Sequence, residues 1–151
     1  MGTLAASTGL DAETRQRLSS AAIRAFVQLA ALWKLTDAEQ LALLGESVGR
    51  TTLYEWRKGT VRAALNQDQI MRASYLLGIY EGLQRIWRQT PDIADAWVRR
   101  RIEDGPFRGH EPLRYMISGG IPAIAETRAY IDAANFGPPS REWYPPPTRE
   151  G

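Results

Sequence analysis

Residues 36–59, TDAEQLALLGESVGRTTLYEWRKG, decide the fold of this chain. Thr36 followed three residues later by Glu39 is typical of a capping box, in which each residue's side chain bonds the other's backbone. Gly45 is typical of a helix stop, because glycine adopts the left-handed backbone that ends many helices. The pattern predicts a short helix over 37–44.

A tight turn over 46–49 leads into a second helix, which begins near Arg50 or Thr51 and ends before Gly59. Two helices joined by so short a turn have the dimensions of a helix-turn-helix, in which the start of the second helix faces DNA base edges. Leu53 and Trp56 are expected to face inward. The candidate DNA-binding residues are Arg50, Thr51 and Thr52, with Glu55 as a further one, for base edges, and Tyr54, Arg57 and Lys58, with Arg62 just beyond, for phosphates.

A second interpretation of this stretch stays open at this point. Helical corners are common in all-α proteins, and the polar face of this one could be no more than a solvated surface. Nothing in the sequence identifies the dimer interface that specific helix-turn-helix binding usually needs.

Helical patterns continue on both sides of the quoted stretch. A helix from Asp11, as N-cap, to about Trp33 carries an apolar stripe, and a long helix is predicted over 67–88. The first stripe comprises Leu18, Ala22, Ala25, Phe26, Leu29, Leu32 and Trp33. The second comprises Ile70, Ala73, Leu76, Leu77, Tyr80, Leu83 and Trp87.

Proline and glycine divide the remainder. A helix is expected over 92–103 with Asp92 as its cap, then a glycine- and proline-rich loop over 104–111. A short helix should begin at Pro112, break at Gly119-Gly120 and be followed by a last helix over 121–135, with Ile124, Ala125 and Ile131 inward. Five prolines exclude a helix over 136–151.

The fold class is therefore all-α, since no alternation of period two appears. We expect a flexible N-terminus (1–10), a helix-turn-helix domain (11–66), a connecting helix (67–90), a small helical domain (91–137) and an extended, proline-rich C-terminal tail (138–151).

Composition limits the function classes. The net charge is only +2, with 11 basic and 8 acidic residues over 1–90 against 8 and 9 over 91–151, which permits nucleic-acid contact in the first part without requiring it. The absence of cysteine excludes disulfides and thiolate metal sites and agrees with a cytoplasmic protein. No signal peptide or membrane-spanning run is apparent.

Catalysis has little support in the sequence, and no cofactor is expected. The one histidine, His110, has no cysteine or second histidine with which to share a metal, and no phosphate-binding glycine loop occurs. Arg99, Arg100 and Arg101 are interpreted as a solvated helix end rather than a nucleic-acid patch. We therefore expect a protein that is not an enzyme.

The order of these segments resembles the Xre/MbcA/ParS type of antitoxin. The resemblance covers roughly residues 15–137 and depends on the helix-turn-helix followed by Pro106-Phe107, Gly109, Pro112-Leu113 and Gly119-Gly120. An Asn-Pro pair often precedes Phe-x-Gly in that family, whereas EDGP stands here. On the residues alone, Phe107 and Leu113 are expected to be core residues that shape the C-terminal domain.

The resemblance implies a function. Members of the family bind a RES-domain toxin, which degrades NAD or uses it for ADP-ribosylation, and they cover or fill its NAD cleft. Many also repress their own operon through the helix-turn-helix, and a homo-oligomer, most simply a dimer, is implied. The alternative is a transcriptional regulator whose main target is operator DNA.

The tail, FGPPSREWYPPPTREG, is the candidate for toxin contact. Prolines lower the entropy lost when a segment becomes ordered, and aromatic side chains serve as interface anchors. The candidate toxin-binding residues are Phe136, Arg141, Glu142, Trp143 and Tyr144. The alternatives are a segment that covers the protein's own helices, or disorder.

Overall fold

The computed structural model describes residues 11–45 and 48–136, and the α-helix is the main element within them. The α-helices are α1 (Ala12–Leu32), α2 (Asp37–Leu44), α3 (Arg50–Arg57), α4 (Gln67–Ile86), α5 (Pro91–Ala96) and α6 (Pro112–Phe136). Two 3₁₀ turns, Trp97–Arg99 and Gly105–Phe107, lie between α5 and α6. The all-α prediction is confirmed for these residues.

The predicted helix starts are formed by local side-chain chemistry. Asp11 accepts a hydrogen bond from the Thr14 amide at 2.7 Å and caps α1. Thr36 and Glu39 form the predicted capping box of α2, at 2.9 and 3.1 Å, and Gly45 ends that helix with a φ of 98°. These caps satisfy amides that have no partner within the helix.

The long helix α4 is central to the packing. Leu76, Ile79 and Leu83 are fully buried on it, and it packs against both α1 and α6. Its two glycines create the space for α6: a Cβ on Gly78 would lie 2.2 Å from the Arg128 guanidinium, and one on Gly82 would lie 2.4 Å from Ile131 Cγ2. The glycines therefore permit close approach of the two helices.

The prediction of one helix over 92–103 is wrong. α5 ends at Ala96, a 3₁₀ turn follows, and Arg100 is already extended (φ −92°, ψ 150°). Ile102, which the prediction placed in this helix, instead forms an isolated antiparallel bridge with His110, and such a bridge needs an extended backbone. Asp92 lies in the first turn of α5 and does not cap it, since Thr90 holds the N-cap position.

The break at Gly119-Gly120 is confirmed, because α6 consists of two helical stretches that meet at a kink there. Gly120 has a non-helical φ of 70° and ψ of −153°, and helical structure resumes directly after it, with Pro122 in the first turn beyond the break. Ile124 and Ile131 are buried as expected, whereas Ala125 is half-buried and Thr127 takes an inner position.

The inner stripe of α1 is narrower than predicted. Leu18 is 49% exposed and Leu32 is 36% exposed, while Ser19 is fully buried. Ser19 can be inside because its hydroxyl accepts a hydrogen bond from the Leu65 amide at 2.8 Å. This bond ties α1 to the residues that precede α4.

One cluster of buried apolar side chains extends from α1 to α6 through all the intervening helices. It therefore passes through each of the predicted stretches 11–66, 67–90 and 91–137, and the division of the chain into domains stays a prediction. None of the helices in the described ranges combines the length and apolar character needed to cross a membrane.

Candidate DNA-binding and partner-binding surfaces

The helix α3 is fixed to the core on one side and open on the other. Leu53 is fully buried and Trp56 nearly so, as predicted from their spacing. Tyr54 is 58% exposed, and Arg50, Thr51, Arg57 and Lys58 are exposed as well. The outward residues of α3 therefore form one face, which we call the α3 face (Arg50, Thr51, Tyr54, Arg57 and Lys58).

Two members of the α3 face are paired with an acidic residue that the sequence did not single out. Asp37, the first residue of α2, lies 3.8 Å from the Arg50 guanidinium and also accepts a hydrogen bond from Arg57. The carboxylate holds two arginines against the start of α2, so it orders them and neutralises part of their charge.

Tyr54 and Lys58 form a second pair on the same face. The Lys58 ammonium lies 5.2 Å from the centre of the Tyr54 ring, a cation–π contact between two exposed side chains one helical turn apart. A phenol and an ammonium held together in this way can both bind phosphate oxygens.

Two of the predicted base-contacting residues, Thr52 and Glu55, are not part of the α3 face. Glu55 is half-buried and bonds Arg62 at 3.1 Å, and Thr52 is half-buried beside Trp56, lining a pocket that Arg62 also lines. Of the residues predicted to contact base edges, Arg50 and Thr51 are exposed at the start of α3. Base contacts by Thr52 and Glu55 stay a prediction, and both residues are less exposed than Arg50 and Thr51.

An aromatic cluster organises the stretch that carries the family resemblance. Phe107 is buried and packs edge-on against Trp97 (5.7 Å between ring centres), Tyr115 (5.5 Å) and Tyr130 (5.2 Å). Leu113 is fully buried beside it. The expectation that Phe107 and Leu113 are core residues is confirmed.

The backbone around Phe107 turns with three left-handed residues. Gly105, Arg108 and Gly109 have φ values of 66°, 50° and 85°. A Cβ on Gly105 would also lie 2.6 Å from the Tyr130 ring, so that position requires glycine for two reasons. The turn sets Phe107 into the cluster and leaves little freedom in this segment.

The tyrosines of the cluster are held as neutral phenols. Burial, and secondarily the charge of Asp104, raise the pKa of Tyr130 to about 12. The hydroxyl of Tyr115 donates to Glu126, and this bond raises the pKa of the Tyr115 phenol. Neither environment activates a phenol as a base at neutral pH.

Two titratable residues of the C-terminal half, His110 and Asp95, have structural partners. His110 is exposed and its Nδ1 lies 3.0 Å from the Phe107 carbonyl oxygen. Asp95 accepts a hydrogen bond from Gln84 at 2.7 Å, and burial raises the pKa of its carboxyl group. Within residues 11–45 and 48–136, no group of acidic or histidine side chains is arranged to hold a metal ion.

Arg99 is the residue whose role the sequence least suggested. Its guanidinium bonds the Glu39 carboxylate at 2.7 Å and the carbonyl oxygens of Trp33 and Lys34 at 3.2 and 2.7 Å. It therefore links the C-terminal half to α2 and to the end of α1, and its interpretation as part of a solvated helix end is wrong.

Phe136 is the predicted toxin-binding residue that the structure describes. It is the last residue of α6 and is 72% exposed, with the Arg85 guanidinium 5.5 Å from its ring centre. Arg141, Glu142, Trp143 and Tyr144 lie outside the described residues.

The fold and these surfaces define an all-α protein with a helix-turn-helix-like corner and an aromatic-centred C-terminal half. The uncharacterized protein y4oB of Sinorhizobium fredii (strain NBRC 101917 / NGR234) is 36% identical over 119 residues, which cover 78% of this chain and 86% of that protein. The chain belongs to the same family as y4oB. No protein-family model matches the chain. No solved structure matches it either.

Proposed function

We propose that this protein is an antitoxin that binds a cognate RES-domain toxin and inhibits it by covering or filling its NAD cleft. The resemblance over residues 15–137 supports this proposal. The burial of Phe107 and Leu113, and the left-handed turn between them, fit a segment that shapes a binding domain. The antitoxin itself would not be an enzyme.

The single observation that carries the proposal is the exposure of Phe136 at the end of α6. Aromatic side chains are enriched at protein–protein interfaces relative to the rest of the protein surface. Arg85 lies against its ring and helps to fix its position. The α6 helix thus ends in an aromatic anchor directly before the proline-rich segment.

In this proposal the residues after Phe136 continue the contact. The sequence there supplies two further aromatics, Trp143 and Tyr144, flanked by Arg141 and Glu142. An extended, proline-rich strand is narrow enough to enter a cleft built for a dinucleotide, and its prolines reduce the entropy lost on ordering. Inhibition would then be steric exclusion of NAD.

Where a gene beside this one encodes a RES-domain protein, co-expression of the two proteins tests the function. Growth arrest by the RES-domain protein alone, relieved when this chain is produced with it, is the expected result, together with co-purification of the two proteins. Continued arrest at equal expression of both proteins would contradict the proposal.

A second function, repression of the protein's own operon, is favoured by the α3 face. Its two paired arginines and the Tyr54–Lys58 pair lie on the side of α3 opposite Leu53 and Trp56. That is the side a second helix presents to DNA in a helix-turn-helix. A dimeric arrangement would supply the second half-site contact.

A further inference from the structure

Residues 100–104, Arg-Arg-Ile-Glu-Asp, form a short extended segment that is paired on one edge. The Ile102 amide donates to the His110 carbonyl at 3.2 Å, and the Ile102 carbonyl accepts from the Gly109 amide at 2.7 Å. Both hydrogen-bonding groups of Ile102 therefore point toward residues 109–110.

The other edge of this segment is open. Successive residues of a strand direct their main-chain groups to opposite edges, so the amides and carbonyls of Arg101 and Glu103 point away from 109–110. None of these four groups has a hydrogen-bond partner among the described residues, and both side chains are exposed. Residues 100–104 also line an open pocket of about 180 Å³ with Trp97 and with Tyr130 of α6.

The charges of the segment are complementary to themselves. If a second copy runs antiparallel about a two-fold axis at Ile102, each Arg101 lies opposite Glu103 of the other copy. Each Arg100 then lies opposite Asp104 of the other copy. A parallel pairing in the same register would instead place arginine against arginine and acid against acid. Charged residues usually protect an open edge from pairing, but here they select one pairing.

We propose that the 100–104 edge is a homodimer interface, in which two copies of this chain join through an antiparallel pairing centred on Ile102. Arg101 and Glu103 exchange main-chain hydrogen bonds with Glu103 and Arg101 of the other copy, while the two Ile102 residues form the pair without hydrogen bonds. The pairing extends the Ile102–His110 bridge of each copy into a four-segment sheet across the axis. The interface does not depend on the function proposed above.

Charge reversal tests the pairing in the full-length chain. Arg101→Glu alone, or Glu103→Arg alone, places like charges opposite each other twice across the axis, and each should weaken dimerisation about tenfold or more. The double variant restores both pairs with their signs exchanged and should recover the dimer. Sedimentation equilibrium over a range of concentrations gives the dissociation constants, and thermal melting checks that each variant folds.

A single-cysteine variant gives an independent readout, because the natural chain has no cysteine. The pair without hydrogen bonds has Cα atoms about 4.5 Å apart, a separation that a disulfide can span. Ile102→Cys should therefore form a disulfide-linked dimer under mild oxidation, and it should do so much faster than the matched control Ser118→Cys on the exposed face of α6. A monomeric natural chain at all concentrations would overturn the proposal, as would equal crosslinking of the two cysteine variants or failure of the double reversal to recover the dimer.

Discussion

Arg99 and Glu39 lie 60 residues apart in the sequence, and their side chains meet with the Arg99 Nη2 2.7 Å from Glu39 Oε1. Glu39 is also part of the capping box that starts α2, and Arg99 directly follows the buried Trp97 and Val98. The pair therefore connects the core of the C-terminal half to the start of α2. The same arginine closes the end of α1 through the carbonyl oxygens of Trp33 and Lys34.

Replacing Arg99 should reduce stability. Arg99→Ala removes a charge-assisted bond and leaves the carbonyls of Trp33 and Lys34 without their donor. Partial exposure of the guanidinium reduces the cost, and we expect the free energy of unfolding to fall by about 1–2 kcal/mol. Urea denaturation measures this, with Arg88→Ala, an exposed arginine on the segment after α4, as the matched control. Equal stability of the two variants would show that these contacts of Arg99 do not stabilise the fold.

The Arg99–Glu39 pair should also make the free energy of unfolding depend on pH in the acid range. The hydrogen bond from Arg99 is the main reason that the pKa of Glu39 is lowered. Stability from a carboxyl group with a lowered pKa is complete above its unfolded-state pKa and is lost as the pH falls through the folded-state value. The natural protein should therefore lose more stability than Glu39→Gln on acidification below the ordinary range of glutamate titration. Parallel stability curves for the two proteins would contradict this assignment.

The two glycines of α4 should respond differently to alanine. Gly82→Ala forces a methyl group against Ile131, which is buried and cannot move freely, and overpacking of this kind costs about 1–3 kcal/mol. The obstacle at Gly78 is the end of the flexible Arg128 side chain, and alanine also raises helix propensity there. Gly78→Ala should therefore be the less destabilising change in thermal unfolding, and the reverse order would show that α4 and α6 do not pack at Gly82 as described.

If the α3 face binds operator DNA, changes at its arginines and at Asp37 should have opposite signs. Arg50→Ala combined with Arg57→Ala should weaken binding and lower the slope of log affinity against log salt by about 1, since Arg57 loses its phosphate contact. Asp37→Asn removes the carboxylate that holds both arginines and should strengthen binding several-fold.

The control for these DNA measurements is Arg15→Ala combined with Arg24→Ala, which removes the same charge from exposed positions on α1. An equal loss of affinity in this control would mean that net charge alone is responsible. The α3 double variant should still inhibit the toxin, because Phe136 and the residues after it are unchanged. Release of the toxin by that variant would show that the two surfaces are not separate.

The residues after Phe136 should carry much of the toxin contact. A chain that ends at Phe136 keeps every described helix and should keep a helical circular dichroism spectrum, but bind the RES-domain protein at least about tenfold more weakly if two aromatic anchors are lost. Isothermal titration calorimetry measures the difference. Undiminished affinity of the shortened chain would show that the residues up to Phe136 make the toxin contact.

The sequence predicted the features that depend on neighbouring residues. The caps formed by Asp11 and by Thr36 with Glu39 span only a few positions, so the residue types reveal them directly. The inward positions of Leu53 and Trp56 follow from helical spacing alone. The outward face of α3 could be predicted for the same reason.

The missed features depend on contacts that a helical pattern does not show. Ile102 pairs with His110 instead of continuing the predicted helix, and Arg99 binds groups that lie 60 to 66 residues away in the sequence. The salt bridges of Asp37 with Arg50 and Arg57 likewise form only when α2 and α3 pack together. Leu18 was placed inside because a helical stripe shows which face is apolar but not how much of that face the neighbouring helices cover.

The most direct test of the central proposal is a titration of the toxin's NAD consumption. The purified RES-domain protein is mixed with increasing amounts of this chain, and the remaining NAD is measured over time. We predict that consumption falls to background near one antitoxin chain per toxin chain and that the α3 double variant inhibits equally well. Unchanged NAD consumption in the presence of an excess of folded chain would contradict the account.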